Sequence, residues 1–349
     1  NTGNYATGEL YVTEIKDEDG NASYEFKDKL GQVVLTRQIE NFTTHDTYYV
    51  YDDFGNQCFV LPPRIQDEGI GRTKLDELAY QYRFDNRNRC IWKKLPGCEP
   101  IYFVYDNADQ LIFTQDGEQR ENGKWLFTIP DALGRPVLSG ICSDTLNVYN
   151  TAVKAAFTGN GAYKGYVIKV GNDFSSSLSP SNLLSVNYYD NYGFMNMIPN
   201  SFIYTYDTSK EAEGYGKYYN EERGYESKAL LTGTITFTFG SQTELHSVMY
   251  YDNRKRLIQS RSNNHLGGFE SEYVAYNFTG QPLKKLHVHT GKDNASSSKV
   301  EELYTYTYDH AGRLTETRHK IDDLPEIILS QFQYDELGRI QGKSMGISE

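Results

Sequence analysis

The sequence predicts an all-β protein built as an array of antiparallel β-hairpins, with a mixed, loop-rich insertion in the middle. Three observations predict this fold. Aromatic residues make up 14% of the chain, and its 30 tyrosines equal its 30 glycines in number. Aromatic and β-branched residues alternate with polar residues over several short stretches, which is typical of half-buried strands. A turn signal recurs between these stretches and indicates an internal repeat.

The turn signal consists of an aromatic residue, Asp or Asn, two variable residues and Gly. It occurs ten times, at Asp28, Asp52, Asp85, Asp106, Asp131, Asp190, Asp252, Asn277, Asp309 and Asp335. An aromatic residue precedes eight of these positions, the exceptions being Lys27 and Pro130. Glycine follows three positions later in seven copies, at Gly31, Gly55, Gly134, Gly193, Gly280, Gly312 and Gly338. Ten copies predict a repeat architecture.

The signal has a physical basis in turn chemistry. Asp followed three positions later by Gly is preferred in type I turns, because the carboxylate accepts N–H groups within the turn and glycine takes the positive φ that follows. The three other copies carry Asn88, Asp109 and Lys255 at this position. Asn and Asp tolerate the left-handed conformation, so Lys255 is the one true departure. Between two strands, the unit predicts a hairpin with a glycine bulge.

The stretches beside the turns have the period-two pattern of strands. Tyr304, Tyr306 and Tyr308, for example, alternate with threonines into Asp309, and a second apolar stretch follows most turns. Successive turns are mostly 21 to 33 residues apart. This spacing fits two strands per repeat better than a four-stranded propeller blade, which takes about 40–45 residues.

Two longer intervals, of 59 and 62 residues on either side of Asp190, divide the chain. The predicted organisation is an N-terminal repeat block at 1–142, a middle segment at 143–241 and a C-terminal repeat block at 242–349. Within the middle segment we predict a short helix at 151–157, strands at 163–170, 202–206 and 234–239, and loops that include the serine-rich stretch 175–181. Function is most expected in these long loops.

Composition argues against several classes of function. The net charge of −12 repels phosphate backbones, and no basic stripe of useful length offsets it, so nucleic acid is not an expected partner. No run approaches the roughly 18 apolar residues of a membrane-spanning helix. The four cysteines, at positions 58, 90, 98 and 142, form no CxxC pair. Cys90 and Cys98 are close enough for a disulfide, and buried free thiols are the alternative.

The repeated unit resembles the YD-repeat, or Rhs-type, proteins, and in particular the large surface or secreted Rhs proteins of Bacteroides-like bacteria. The resemblance is carried by the turns and by residues 47–55, 60–63, 89–97, 131–136 and 264–268. It implies that the hairpins form a long curled sheet that spirals into a shell. In that family, shells enclose a C-terminal toxin or act as adhesive surface modules.

The resemblance also implies a location and a context. The sequence begins at Asn1 without a starting Met or an apolar signal core, and the self-cleaving C-terminal core of the family is not visible. We therefore expect an interior piece of a longer bacterial protein that is secreted or lies at the cell surface, with no signal peptide in this chain. The expected partners are other segments of the full-length protein, with surface glycans or a C-terminal toxin cargo as further options.

Motifs that could carry catalysis or bind a cofactor fail in their context. Residues 342–346 match the GxSxG pattern, but no helix, acid or histidine follows as a nucleophile elbow requires. Residues 159–161 together with Gly165 miss the dinucleotide fingerprint by one position, so a flexible turn is the better interpretation. We therefore predict no catalytic residue and no cofactor.

Candidate metal ligands fail in the same way. His287 and His289 share one face of a predicted strand, but no third ligand is identifiable among the other histidines. The acidic stretch at 17–21 resembles a calcium loop superficially, yet Ala22 stands where an EF-hand requires glycine. The pair Asp19–Gly20 predicts a hairpin turn instead.

These observations favour a non-catalytic structural and interaction module. A carbohydrate-binding adhesin is the alternative, since aromatic faces also stack on sugar rings, and a hydrolase in the middle segment is a third hypothesis. Stacked hairpins need cross-strand aromatic pairs, each contributing about 0.2–1 kcal/mol relative to alanine pairs. This need explains the tyrosines without a sugar ligand.

Overall fold

The computed structural model describes residues 5–40, 43–67, 70–143, 148, 150–171, 173–174, 182–218, 227–238, 240–241, 243–292 and 299–347. Over these residues the protein is almost entirely antiparallel β-structure, with 21 strands in one sheet and three in another. The prediction of an all-β hairpin array is confirmed. The chain divides into two compact units, which comprise Asn1–Thr128 with Ile141–Val153, and Ile129–Gly140 with Lys154–Glu349. The three blocks defined by repeat content stay a prediction.

In the first unit, each strand pairs antiparallel with the next strand along the chain. The strands are β1 (Tyr11–Lys16), β2 (Ala22–Lys27), β3 (Val33–Glu40), β4 (Thr43–Tyr51), β5 (Gln57–Leu61), β6 (Tyr80–Phe84), β7 (Cys90–Lys94), β8 (Ile101–Tyr105), β9 (Leu111–Gln115) and β10 (Trp125–Pro130), whose last two residues belong to the second unit. Three short helices connect strands, namely α1 (Pro63–Asp67), α2 (Arg72–Leu78) and α3 (Gly117–Glu121).

The remaining strands lie in the second unit, except for Ile141, Cys142 and Val153, which belong to the first unit. They are β11 (Pro136–Cys142), β12 (Val153–Gly161), β13 (Gly165–Val170), β14 (Asp173–Phe174), β15 (Leu183–Asp190), β16 (Ser227–Phe237), β17 (Glu244–Tyr251), β18 (Leu257–Asn263), β19 (Phe269–Tyr276), β20 (Pro282–Thr290), β21 (Lys299–Tyr308), β22 (Leu314–Ile321), β23 (Ile327–Tyr334) and β24 (Ile340–Ile347). β11 pairs with β15, and from β15 to β24 each strand pairs antiparallel with the next. β12, β13 and β14 form the smaller sheet.

The hairpins bulge where a strand enters its turn. The register shifts between Thr307 and Tyr308 in the β21–β22 pair, and between Gln333 and Tyr334 in the β23–β24 pair. Equivalent shifts occur just before several other turns. Such a bulge inserts one residue and increases the local twist. The added twist therefore lies at the point where each of these strands enters its turn.

The middle segment differs from the sequence prediction at two places. The helix predicted at 151–157 is wrong, because β12 occupies this stretch with Val153 and Ala155 buried and Lys154 exposed, the alternation of a strand. The strand predicted at 202–206 is also wrong. A 3-10 helix at Ser201–Tyr204 follows Asn200, whose left-handed conformation turns the chain. β13 and β16 lie where the other two strands are predicted; residue 239 and the serine-rich stretch 175–181 lie outside the described residues.

Residues 191–218, which we call the insert, connect β15 to the chain leading into β16 and pack on one face of the sheet. Besides Ser201–Tyr204, the insert contains a 3-10 helix at Gly193–Met197 and α4 at Ser209–Ala212. Phe194 stacks on Tyr188 of β15, with ring centroids 4.3 Å apart and an interplanar angle of 9°. Tyr192 stacks on Tyr250 of β17 at 5.0 Å. The Tyr250 hydroxyl donates a 2.8 Å hydrogen bond to the Tyr204 carbonyl. Aromatic residues of the middle segment thus form a packed core.

The close approach of the insert to the sheet depends on Gly233 of β16. A β-carbon at Gly233 would lie 2.1 Å from the Phe194 ring. We expect Gly233→Ala to displace the insert and lower the free energy of unfolding by about 1–3 kcal/mol. Gly71→Ala is the control, because a β-carbon there meets no atom within 4 Å. Urea unfolding and hydrogen exchange of residues 192–204 measure the effect, and equal values for the two variants would contradict this packing.

Candidate functional site

The repeated turn, which we call a corner, is a closed hydrogen-bonded unit, as residues 309–313 show. The Asp309 N–H donates to the Arg313 carbonyl, and the Gly312 N–H donates to the Asp309 carbonyl, both at 3.0 Å. Asp309 Oδ1 accepts the N–H groups of Ala311 and Arg313 at 2.9 and 2.8 Å. Asp309 Oδ2 accepts Arg313 Nε at 2.7 Å. Gly312 has a φ of +78°, where glycine is favoured.

Nine of the ten predicted turns form this backbone geometry. Their first residues are Asp28, Asp52, Asp85, Asp106, Asp131, Asp252, Asn277, Asp309 and Asp335. Their fourth residues all have positive φ, namely Gly31, Gly55, Asn88, Asp109, Gly134, Lys255, Gly280, Gly312 and Gly338. Lys255 forms the turn with a φ of +62°, although this conformation costs a non-glycine residue about 1–2 kcal/mol. The hydrogen bonds of the corner therefore override the preference of that residue.

The turn predicted at Asp190 and Gly193 is wrong. The Asp190 carboxylate accepts the two terminal nitrogens of Arg135 at 2.9 and 2.7 Å, and the Ala229 N–H at 2.7 Å. Gly193 begins a 3-10 helix, and its N–H donates to the Asn191 side chain at 2.9 Å. The chain enters the insert at this point instead of returning beside β15. Asp190 therefore serves as an ion-pair partner of the corner at residues 131–135.

Two further corners were not among the predicted ten. Asp17 with Gly20, and Asn264 with Gly267, make the same two backbone hydrogen bonds. They connect β1 to β2 and β18 to β19, so they lie at the opposite strand ends from the other corners of their units. Neither has an aromatic residue before it. The Asp/Asn-x-x-Gly spacing alone identifies both, and the first of them is the hairpin turn that Asp19–Gly20 predicts, with Asp17 as its first residue.

A tyrosine hydroxyl connects each of several corners to the one before it. Tyr334, which precedes the corner at Asp335, donates to the Leu314 carbonyl at 2.8 Å. Leu314 lies five positions after Asp309, the start of the preceding corner. The same relation holds, at 2.9–3.1 Å, for Tyr51 to Val33, Tyr105 to Cys90, Tyr276 to Leu257 and Tyr308 to Pro282. Tyr189 makes a longer bond, of 3.4 Å, to Pro136.

An arginine makes the second connection between consecutive corners. Arg313 pairs with Asp309 of its own corner, and its guanidinium carbon lies 4.6 Å from the centroid of the Tyr334 ring. The same stacking, at 4.4–4.9 Å, joins Arg89 to Tyr105, Arg135 to Tyr189 and Arg256 to Tyr276. Each such contact is worth about 0.5–1 kcal/mol at an exposed site. The guanidinium thus fixes the next hairpin relative to its own corner.

We call the tyrosine hydroxyl bond and the arginine stacking together a rung, and the series of rungs in each unit the corner ladder. At two corners where an amide replaces the arginine, a hydrogen bond takes the place of the stacking. Gln281 Nε2 donates to the Gly312 carbonyl, and Asn56 Nδ2 donates to Asn88 Oδ1 at 3.1 Å. The guanidinium of Arg256 also donates to the Asn277 carbonyl at 2.9 Å. Polar contacts therefore join consecutive corners along one end of the strands, from the corner at Asp28 to that at Asp106 in the first unit, and from the corner at Asp252 to that at Asp335 in the second unit.

A cavity of about 250 Å³ in the second unit lies beside the ladder and is lined by Asp131, Arg135, Tyr166 and Asp190 among others. The hydrogen bond from Arg135 holds the pKa of Asp190 below its ordinary value. Burial raises the pKa of Tyr166, whose hydroxyl donates to the Asn187 carbonyl at 2.8 Å. Asp190 is therefore ionised at neutral pH and has no proton to supply as a general acid.

The other candidates from the sequence occupy ordinary structural positions. His287 Nε2 and His289 Nδ1 lie 2.9 and 2.7 Å from the two carboxylate oxygens of Glu270. Within the part of the chain that the structure describes, no group of three His, Cys, Asp or Glu residues is arranged to hold a metal ion. Ser344 lies within β24, which is a strand and not an elbow. Cys90 and Cys98 are both free thiols, so they form no disulfide.

Comparisons with known proteins give only coarse similarities. No protein-family model and no curated protein matches the chain. Among solved structures, the TcdB2–TccC3 and TcdB2–TccC3–Cdc42 complexes each show 12% identity and a TM-score of 0.33, covering 92% of this chain and 15% of theirs. The Photorhabdus luminescens Tc holotoxin pore shows 12% identity and a TM-score of 0.32, covering 94% and 22%. This chain thus spans under a quarter of each neighbour, and such scores assign no function.

The described residues form a sheet of antiparallel hairpins that are joined at recurring Asp/Asn-x-x-Gly corners. The resemblance to YD-repeat, or Rhs-type, proteins and its narrower form, the likeness to Bacteroides-type proteins, stay predictions. None of the described helices is long and apolar enough to cross a membrane.

A corner carboxylate has two functions, which are to accept backbone N–H groups of its turn and to pair with the arginine side chain. The two functions can be separated at Asp85. Asp85 Oδ1 accepts the N–H groups of Arg87 and Arg89 at 2.8 and 3.0 Å, and its carboxylate pairs with the Arg89 side chain at 2.7 Å. We expect Asp85→Ala to lower the free energy of unfolding by about 1–2 kcal/mol. Asp85→Asn should cost less, because it retains the oxygen that Asn277 uses naturally. Hydrogen exchange of the Arg87 and Arg89 amides tests this, and equal exchange in both variants would contradict the role of the corner.

The same carboxylate makes stability depend on pH. Burial alone would raise the pKa of Asp85, but hydrogen bonds from the Arg89 side chain and from the Arg89 and Arg87 N–H groups outweigh burial and lower the pKa. A carboxylate with a lower pKa in the folded state stabilises the fold above its unfolded pKa, and this contribution is lost as the pH falls through the folded pKa. Urea unfolding should therefore show a loss of stability below about pH 4, and a smaller loss in Asp85→Asn. Identical pH profiles would count against this account.

Proposed function

We propose that this chain is a non-catalytic structural and interaction module, part of the YD-repeat shell of a secreted or cell-surface bacterial protein. The corner ladder is the single observation that carries this proposal. Its aspartates accept N–H groups of their own turns, its arginines stack on the next tyrosine, and its tyrosine hydroxyls bind backbone carbonyls. The aspartate, arginine and tyrosine side chains of the repeat thus all make contacts within a hairpin or between consecutive hairpins.

This kind of ladder supports a wall-forming role. In a repeat protein each unit contacts only its neighbours, so the geometry of one neighbour contact is multiplied along the array. The hydrogen bond from the tyrosine hydroxyl is 2.8–3.1 Å long at five of its six positions. Because this contact is similar from copy to copy, it favours a regular and extended sheet. A regular extended sheet is the structure that a shell requires.

The proposal extends to the partners of the chain. We propose that other segments of the full-length protein contact it, and that the complete shell encloses or presents a C-terminal cargo outside this chain. The resemblance of the repeats to YD proteins supports this part. The charge of −12 does not favour nucleic acid as cargo or ligand. The carbohydrate-binding adhesin and the hydrolase in the middle segment stay predictions.

Electron cryomicroscopy of the complete native protein, isolated from the bacterium that produces it, tests the shell. We expect the sheet of this chain to continue into strands of neighbouring segments and to border an enclosed lumen. A chain that stands apart on linkers, with both sheet edges in solvent, would contradict the proposal. Turnover of an ester, glycoside or phosphoester that a single substitution in this chain abolishes would contradict its non-catalytic part.

A further inference from the structure

The corner at Asp28 has a carboxylate oxygen that no other group uses. Asp28 Oδ1 accepts the N–H groups of Leu30 and Gln32, both at 2.9 Å, as in the other corners. At the four corners whose arginine stacks on the next tyrosine, the second oxygen, Oδ2, accepts the arginine Nε at 2.6–2.8 Å. Gln32 stands in the place of this arginine. Among the corners that the structure describes, Asp28 is the only aspartate whose Oδ2 has no hydrogen-bond partner.

The tyrosine beside this corner lacks a stacked cation as well. Tyr51 donates its hydroxyl to the Val33 carbonyl at 2.9 Å, like the other ladder tyrosines. At four other positions of the ladder, a guanidinium carbon lies 4.4–4.9 Å from the centroid of such a ring. Over the described residues, no lysine or arginine lies above the Tyr51 ring. The oxygen and the ring that hold an arginine elsewhere are therefore both available here.

A cavity of about 1040 Å³ in the first unit lies at this place. It is lined by Asp28 and Tyr51, and by exposed apolar side chains such as Leu30 and Ile70. Asp53 adds another carboxylate, and none of the described residues that line the cavity is Lys, Arg or His. The cavity is therefore acidic and aromatic, which suits a cation that has apolar neighbours.

We propose that this cavity binds the guanidinium of an arginine side chain that a partner polypeptide presents. The guanidinium donates to Asp28 Oδ2 and stacks on the Tyr51 ring, as Arg313 does with Asp309 and Tyr334. The exposed apolar residues of the cavity contact the neighbours of that arginine in the partner. The net charge of −12 also favours a basic partner. The proposal concerns the first unit alone and holds whether or not the chain belongs to a shell.

The corner at Asn277 provides an internal control. Gln281 again stands in the place of the arginine, and a cavity of about 710 Å³ lies between this corner and the next one, at Asp309. Asn277 has no carboxylate, however, and its Nδ2 donates to Gln281 Oε1 at 2.7 Å. Gln281 Nε2 donates in turn to the Gly312 carbonyl. The proposal therefore requires that a guanidinium binds in the first cavity and not in the second.

The probe is acetyl-arginine amide, which is titrated against the whole isotope-labelled chain and followed by NMR. We expect saturable shifts of the Leu30 and Gln32 amides, whose N–H groups bind the Asp28 carboxylate. The Thr279 and Gln281 amides of the second cavity should show no saturable shift. Acetyl-citrulline amide has nearly the same shape without the charge, so it should shift neither pair. Absence of a saturable shift at Leu30 and Gln32 would overturn the proposal.

Three variants test the contacts of the guanidinium. Asp28→Asn should weaken binding about tenfold, because it removes the charged acceptor, and it retains the turn, as Asn277 does naturally. Asp53→Asn is the matched control, since it removes the same charge from the same cavity, and it should change the affinity less than about twofold. Gln32→Arg should supply the guanidinium from within the chain, abolish probe binding and raise the urea midpoint of unfolding.

A peptide distinguishes a polypeptide partner from a free small molecule as the source of the guanidinium. Acetyl-Leu-Arg-Leu amide should bind about tenfold more tightly than acetyl-arginine amide, because its leucines bury apolar surface against the cavity wall. Equal affinities of the two probes would overturn the assignment to a polypeptide. Equal weakening by Asp28→Asn and Asp53→Asn, or undiminished binding to Gln32→Arg, would overturn the site itself.

Discussion

The contact between one corner and the next, made by a tyrosine hydroxyl together with an arginine or an amide side chain, is the interaction on which the hairpin array depends. Backbone pairing alone holds neighbouring strands, but it leaves the register open to slippage wherever both faces of a strand are polar. The rung removes this freedom, because Arg313 is held by Asp309 and Tyr334 is held by the Leu314 carbonyl. The residues that form each turn thereby also hold consecutive hairpins together.

The insert shows that a rung does not require a complete corner. Tyr189 still lies under Arg135 at 4.4 Å and still reaches the Pro136 carbonyl, although the chain after Asp190 leaves the sheet. The free carboxylate of Asp190 then pairs with Arg135 as well. The insertion between β15 and β16 therefore replaces the turn, whereas the contacts of Tyr189 with Arg135 and with the Pro136 carbonyl are retained. The insert in turn covers a sheet face with aromatic side chains such as Phe194.

The corners were predictable from the sequence because their chemistry lies within five residues. The same locality explains the error at Asp190, where the pattern is present but the next strand of the sheet, β16, begins 37 residues later at Ser227. The rungs join residues some 20 residues apart, as Tyr334 and Leu314 do, so turn chemistry could not reveal them. Arginine four positions after the aspartate was a visible signal in half of the predicted copies. The helix predicted at 151–157 failed because pairing within the smaller sheet outweighs local propensity.

A double-mutant cycle between Arg313 and Tyr334 tests the central contact most directly. The free energies of unfolding of Arg313→Ala, of Tyr334→Leu and of the double variant give the coupling between the two side chains. If the rung joins consecutive hairpins, the two substitutions are non-additive by about 0.5–1 kcal/mol. If their effects simply add, the guanidinium and the ring do not stabilise each other, and the ladder is not what orders the array.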